Sequence, residues 1–315
     1  MDERILFYGT PEFAVGCLDY LRSSGVNIIG VVTAPDKKSG RGRKLNYSPV
    51  KKYALSQNIP IFQPTNLKSI EFQQTLEKLQ PDIQVVVAFR MLPKQVWSFP
   101  PKGTLNLHSS LLPNYRGAAP INWVLINGEK KTGVTTFMID EKIDTGQILL
   151  QKTIKILPQD TFSMLYPKVL EHGKILLAET IRKMISRDII PIEQNTTGYE
   201  KKAPKLTSEN TRINWDLPLI KIERLIRGLE PNPGAWTFFD NGQNKNLRMK
   251  ILRAEIKTFE SHEKPYQITI NQKKMLITHH QGHLQCKYIQ LEGKKTMDVK
   301  SLLNGYTFLQ GSKVL

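Results

Sequence analysis

The chain has 315 residues, 40% of them hydrophobic and 23% charged. These are the proportions of a globular protein, and they exclude a disordered chain. No stretch approaches the ~18 consecutive apolar residues of a spanning helix, which excludes the membrane class. Lysine and arginine number 45 against 28 acidic residues, a net charge of +17, and an excess of that size favours a polyanionic partner such as nucleic acid. Residues 201–315 hold 20 basic and 10 acidic side chains, and the longer first part holds 25 and 18. The two cysteines, Cys17 and Cys286, suggest no disulfide framework. The N-terminus runs straight into an apolar stretch without the parts of a secretory signal. The expected compartment is therefore a reducing cytoplasm.

In chain order, residues 4–8 and 27–33 are apolar runs of strand length. Between them residues 11–24 carry Phe13, Ala14, Cys17, Leu18 and Leu21 at helical spacing, with Pro11 suited to a first turn and Gly25 to a stop. A helix is expected from about 69 to 79, and strands at 83–88 and 103–107. Continuous apolar strands alternating with amphipathic helices predict a doubly wound α/β domain with a mostly parallel, Rossmann-like sheet. Its ligands should gather at the C-terminal strand ends. Strands at 132–139 and 147–156 flank a loop, and a long helix follows over 161–186. Residues 190–211 are polar, bear Pro and Gly, and lack a period. The division predicted is a catalytic domain at 1–189, a linker at 190–207 and a C-terminal domain at 208–315. That last part holds one helix, at 217–229, and then short strands at 235–239, 247–256, 266–270, 274–278 and 284–291. Asn-Gly, Gln-Gly and Glu-Gly turn signals separate them, as in a small antiparallel, OB-like β-barrel.

The first strand leads into Gly9-Thr10-Pro11, but a dinucleotide fingerprint needs glycines at three positions and only Gly9 fits. A nicotinamide cofactor is not expected, and no phosphate-binding GxxxxGK[ST] loop occurs. The densest polar cluster is residues 106–120. By the period of two, Asn106 and His108 share one face at the end of a strand while Leu107 points to the core. An amide beside an imidazole suits a reaction in which a carbonyl oxygen gains negative charge. A second cluster, residues 140–146, lies in the loop between two strands. A carboxylate there either orients the imidazole or accepts a proton, and an Asx turn before Gly146 is the structural alternative. His279, His280 and His283 lack a fourth ligand and read as an exposed turn rather than a metal site. Residues 37–52 hold seven basic side chains and no acid: Lys37, Lys38, Arg41, Arg43, Lys44, Lys51 and Lys52. Gly40 and Gly42 make this segment adaptable, and it suits phosphate contacts to an irregular RNA end.

These segments carry a resemblance. GTPEFA at 9–14, SGRGRKL at 39–45, SPVK at 48–51, NLHSSLLPNYRGAAPINW at 106–123, TGVTTFMID at 132–140, IDTGQIL at 143–149 and INWD at 213–216 resemble the 10-formyltetrahydrofolate-dependent formyltransferases. The Asn-x-His-x-Ser-Leu-Leu-Pro run followed by Asp-Thr-Gly is specific to that family. The resemblance implies that Asn106, His108 and Asp144 are catalytic. It implies 10-formyltetrahydrofolate as co-substrate and no metal. Folate contacts would fall on Ser110, Leu111, Leu112 and Pro113, and on Phe89, Arg90 and Leu92 of the loop that walls the pterin pocket. That loop is one residue shorter than the family's Ala-Tyr-Gly form and lacks its glycine. The basic loop, with Lys37, Lys38, Arg41, Arg43 and Lys44, would meet the acceptor end of initiator methionyl-tRNA. Lys201, Lys202, Lys205, Arg248, Lys250 and Arg253 would add a basic surface. A monomer with no membrane partner is expected. The competing readings are transfer to another amine (glycinamide ribonucleotide or an amino sugar nucleotide), hydrolysis of the formyl donor, and RNA binding without catalysis.

Overall fold

The computed structural model describes residues 2–39, 44–257 and 264–315. The chain divides into two compact units that interleave along the sequence. The first comprises Met1–Gly117, Thr132–Lys155 and Pro167–Lys202, and the second Ala118–Lys131, Ile156–Tyr166 and Ala203–Leu315.

The first unit is built on a seven-stranded sheet. Its strands are β1 (Ile5–Gly9), β2 (Ile28–Val32), β3 (Ile61–Phe62), β4 (Ile83–Val87), β5 (Thr104–His108), β6 (Lys131–Met138) and β7 (Ile148–Lys155). The order is β7-β6-β5-β4-β1-β2-β3. β1 pairs in parallel with β2 and β4, β2 with β3 and β4 with β5, whereas β6 runs antiparallel to β5. The expected doubly wound, mostly parallel sheet is present. β1 and β4 are buried at every position, as their unbroken apolar sequences require of strands covered on both faces. The helix Glu12–Ser23 buries Phe13, Ala14, Cys17, Leu18 and Leu21, and Gly25 follows it at φ +76°. A fully buried leucine of this kind stabilises by about 1.5–3 kcal/mol. Helices Pro49–Ser56 and Ile70–Leu79 each begin at a serine, Ser48 and Ser69, whose hydroxyl accepts from a backbone N–H of the first turn. The chain order reverses at β1, since β2 and β3 lie on one side and β4 and β5 on the other. A crevice for ligands therefore opens beyond the C-terminal ends of β1 and β4. Gly9 ends β1 there, and a Cβ on it would sit 2.6 Å from Ala14 and 3.2 Å from the Val87 carbonyl, so only glycine lets these elements approach.

The second unit is an antiparallel barrel. Its strands are β8 (Ala235–Asp240), β9 (Leu247–Lys257), β10 (Ile268–Asn271), β11 (Lys274–His279), β12 (Gly282–Leu291), β13 (Met297–Asp298) and β14 (Lys313–Val314). The order is β10-β11-β12-β9-β8-β14, with β13 beside β12. A bridge between Gln267 and Lys313 brings the two ends together. The helix Leu219–Leu229 contributes Leu219, Ile222, Ile226 and Leu229 to a core that includes Met249, Ile251, Met275, Ile277, Leu284 and Ile289. Cys286 is buried in this core, and burial pushes its thiol up to about 12. Cys17 is buried in the first unit, and its thiol too is raised by burial. The histidine turn departs from expectation. His280 is exposed, but His279 and His283 are buried, and His279 Nε2 lies 3.0 and 3.1 Å from the Trp215 and Leu217 carbonyls. Two of the three are thus packed into the barrel. No helix of the described residues is long and apolar enough to cross a membrane.

Candidate active site

β5 ends in Asn106-Leu107-His108. Asn106 lies opposite Val86 of β4 and Phe137 of β6, and His108 opposite Thr135 of β6. Leu107 turns the other way and is 4% exposed in the core. The structure thus places Asn106 and His108 as the period of two predicts. The Asn106 amide is half-buried and has no hydrogen-bond partner among the described residues. His108 is buried, and its Nε2 is 2.8 Å from the carbonyl oxygen of Tyr115. A carbonyl only accepts, so Nε2 carries a proton and Nδ1 is the free edge of the neutral ring. Nδ1 faces Asp144, 3.8 Å from its Oδ2. That separation is too long for a direct hydrogen bond. In the neutral tautomer Nδ1 bears a lone pair on this side, an arrangement suited to a proton or an N–H group brought between the two atoms.

Asp144 sits at φ +56°, in the left-handed region that non-glycine residues seldom adopt. Its Oδ2 accepts from the Gly117 N–H at 2.9 Å. The Asx turn of this loop belongs to Asp140, whose Oδ1 accepts from the Lys142 N–H at 3.1 Å and the Thr145 hydroxyl at 2.8 Å. Asp144 is thereby left facing the imidazole. Gly146 passes so close to β6 that an added Cβ would lie 1.7 Å from the Met138 carbonyl.

The loop after β5 is pinned from beneath. Ser110 is buried and its hydroxyl donates to the Asn114 carbonyl at 2.7 Å. The Thr135 hydroxyl donates to the Ser110 carbonyl at 2.6 Å and accepts from the Leu112 N–H at 3.2 Å. Gln151 donates to the Leu112 carbonyl at 2.8 Å. Leu112 is buried, while Leu111 and Pro113 are half-buried. Thr135 and Gln151 were not singled out from the sequence. They lie on β6 and β7, and only the pairing of those strands under the loop reveals their part.

The loop after β4 is arranged differently. Ala88 takes φ +48° where a glycine would be at ease. Phe89 is half-buried with its ring edge-on to Tyr8, centroids 5.6 Å apart. Burial raises the Tyr8 phenol above its ordinary range, and among the described residues its hydroxyl has no hydrogen-bond partner. Arg90 turns back to donate to the carbonyls of Pro64 and Thr65, and Leu92 belongs to the core with Tyr8, Phe72 and Val96. Of the three expected folate contacts here, Phe89 alone is neither committed to backbone carbonyls nor sunk in the core.

The basic segment forms a short hairpin, Lys37–Ser39 against Lys44–Asn46, with Lys38 opposite Leu45 and Ser39 opposite Lys44. Lys37 is exposed. The side chains of Lys38 and Lys44, and the whole of Arg41 and Arg43, lie outside the described residues. Lys51 is tied to Asp36 and Gln63, whose hydrogen bonds hold the Asp36 carboxyl below its ordinary range.

In the second unit, cations and rings alternate on one face. Trp236 lies opposite Lys250 and Phe238 opposite Arg248 across β8 and β9. The Arg248 guanidinium is 4.1 Å from the Trp236 ring, and Arg212 is 5.7 Å from Trp236 and 5.4 Å from Phe238. Arg253 stands 5.7 Å from the Tyr288 ring. Arg212 was missed in the sequence, where it is one basic residue in a polar stretch.

Comparison with known proteins decides the family. Residues 3–181 match the formyl transferase family and residues 205–307 the formyl transferase C-terminal domain. The methionyl-tRNA formyltransferase of Flavobacterium johnsoniae is 46% identical over 99% of this chain and 98% of its own length. The chain belongs to the methionyl-tRNA formyltransferase family. The protein of the same name from Bacteroides thetaiotaomicron is 42% identical with the same coverage. Among solved structures, an N-formyltransferase from Helicobacter canadensis, in complex with folinic acid and dTDP-3-aminofucose, superposes with a TM-score of 0.65. It is 21% identical over 90% of this chain and 98% of that one. HypX from Aquifex aeolicus, in complex with tetrahydrofolic acid, gives a TM-score of 0.67 at 17% identity over 99% of this chain and 48% of that one. At these identities the two structures bear on the fold alone.

Proposed function

We propose that the protein transfers the formyl group of 10-formyltetrahydrofolate to the α-amino group of methionyl-tRNA, giving N-formylmethionyl-tRNA. The observation that carries this reading is the free Asn106 amide beside the facing pair of His108 Nδ1 and Asp144 Oδ2, in a chain that matches its methionyl-tRNA formyltransferase relatives end to end. The neutral amine attacks the formyl carbon, a C–N bond forms, and the carbonyl electron pair moves onto oxygen. Asn106 donates to that oxygen, the contribution of an oxyanion-hole donor. The amine proton passes to His108 Nδ1, the open edge of the ring, and Asp144 holds the resulting imidazolium. Collapse breaks the bond to N10, which takes up a proton, and tetrahydrofolate leaves. This gives His108 a proton-transfer role rather than that of a second oxyanion donor, because its Nε2–H is committed to Tyr115.

Folate fits the residues present. The pinned 110–113 loop, the half-buried Phe89 ring and the unpartnered Asn106 amide offer a fixed backbone, an apolar wall and a donor. We place the tRNA on the basic hairpin and on the cationic face of the barrel, within the 208–315 domain, where guanidinium and ring can meet phosphate and base. The test of the chemistry is His108→Ala. Formyl transfer should be lost while methionyl-tRNA affinity stays within about twofold of the parent, and an equal fall of both would contradict the role given to His108.

A further inference from the structure

The stretch read as a linker contains a residue whose side chain is bonded at both of its polar atoms. Gln194 is half-buried. Its Nε2 donates to the carbonyls of Asp144 at 2.9 Å and Gly146 at 2.8 Å. Its Oε1 accepts from Arg116 Nε at 3.1 Å and Nη2 at 2.5 Å. Arg116 precedes Gly117, the residue whose N–H donates to the Asp144 carboxylate. It follows Tyr115, the residue whose carbonyl holds His108 Nε2. One carboxamide thus joins the loop that bears Asp144 to the loop that orients His108. The backbone about it is fixed by Ile148 and Ile192, which exchange N–H···O bonds of 2.7 and 2.9 Å, and by the Tyr115 N–H to the Lys201 carbonyl.

We propose that Gln194, braced by Arg116, is a positioning residue for the formyl-transfer step. It holds Asp144 in its left-handed conformation with Oδ2 toward His108 Nδ1. The proposal rests on reading Asp144 as catalytic. A carboxamide is the group that suits both sides, since it donates two hydrogen bonds to carbonyls and accepts two from a guanidinium. Glutamate at this place would set a carboxylate against two carbonyl oxygens. A backbone at positive φ relaxes once its restraints go, and a displacement near 1 Å at a reacting group costs up to ~10²-fold in rate.

The experiment is a double-mutant cycle on the full-length protein with 10-formyltetrahydrofolate and methionyl-tRNA, read in single-turnover and steady-state kinetics. Gln194→Met keeps the length of the side chain and removes its hydrogen bonds. Gln194→Ala is the second variant, and thermal unfolding shows that each is folded. The expected result is a fall of ~10–100-fold in kcat with KM for both substrates within about twofold. In an Asp144→Asn background the same Gln194→Met change should cost less than about twofold, because its effect runs through Asp144. An equal loss in both backgrounds, or a change confined to KM, overturns the proposal. Asp144→Asn with the parent's kcat overturns instead the reading beneath it, and that failure is visible in the single variant alone.

Discussion

Around Asp144 the polar side chains are fastened to backbone. Gln194 holds two carbonyls, Asp140 two donors of its own loop, and Thr135 and Gln151 the loop of Ser110. On the face that β8 and β9 share, Arg212 and Arg248 lie instead against the Trp236 ring, and Arg253 lies against Tyr288 of β12. The contrast is one of tolerance. Formyl transfer needs a donor and a proton acceptor fixed to a fraction of an ångström, so the first region spends its polar groups on holding its own loops. Docking a polyanion, the role proposed for the second region, sums many weak attractions. Changes in the first should therefore act steeply and on kcat, and changes in the second gradually and on affinity.

The largest expected effect is at Asn106. Asn106→Ala should lower kcat by ~10²–10³ with little change in tRNA affinity, and stopped-flow transfer assays would show it. A loss of less than about tenfold would remove Asn106 from the oxyanion site. Next is Gly146→Ala, where the added methyl meets the Met138 carbonyl at 1.7 Å. The loop must move and carry Asp144 with it, so kcat should fall by ~10-fold or more, with a lower unfolding temperature. Parent-like kinetics would mean the loop is not held as described. At Arg248 the comparison predicts a graded effect. Arg248→Ala should weaken methionyl-tRNA binding modestly, leave kcat at saturation unchanged, and reduce the slope of log affinity against log salt by ~1. An unchanged slope would take Arg248 off the docking surface.

The smallest effect concerns stability. Glu223 is half-buried beside Arg227, and desolvation outweighs the guanidinium to raise its carboxyl above the usual value. A raised carboxyl contributes stability that is complete below the unfolded value and is lost as pH rises through the folded one. The stability of Glu223→Gln relative to the parent should therefore improve from about pH 4 toward neutrality. Thermal melts across that range would check it, and a constant difference would contradict the burial argument.

Much of this was legible in the sequence wherever an element declares itself locally. The buried β1 and β4 and the helix Glu12–Ser23 follow from unbroken or 3.6-periodic apolar residues. Asn106 and His108 could be paired by the alternation of a strand, whereas Asp144 entered through the resemblance alone. Strand β3 is two residues long and has no pattern to read. The basic segment looks like a flexible loop because a three-residue hairpin arm carries too little periodicity to show. Gln194 was invisible for a different reason. Its partners are 50, 48 and 78 residues away, and a side chain that bonds to distant backbone leaves no mark on its neighbours. The buried His279 likewise depends on carbonyls more than 60 positions distant.

The most direct test offers the purified protein 10-formyltetrahydrofolate with methionyl-tRNA, glycinamide ribonucleotide or water as the sole acceptor, and follows tetrahydrofolate release and the formylated product. The account predicts rapid transfer to methionyl-tRNA, with rates on the other two lower by several orders of magnitude. Comparable turnover with glycinamide ribonucleotide, or release of formate without an amine, would contradict it.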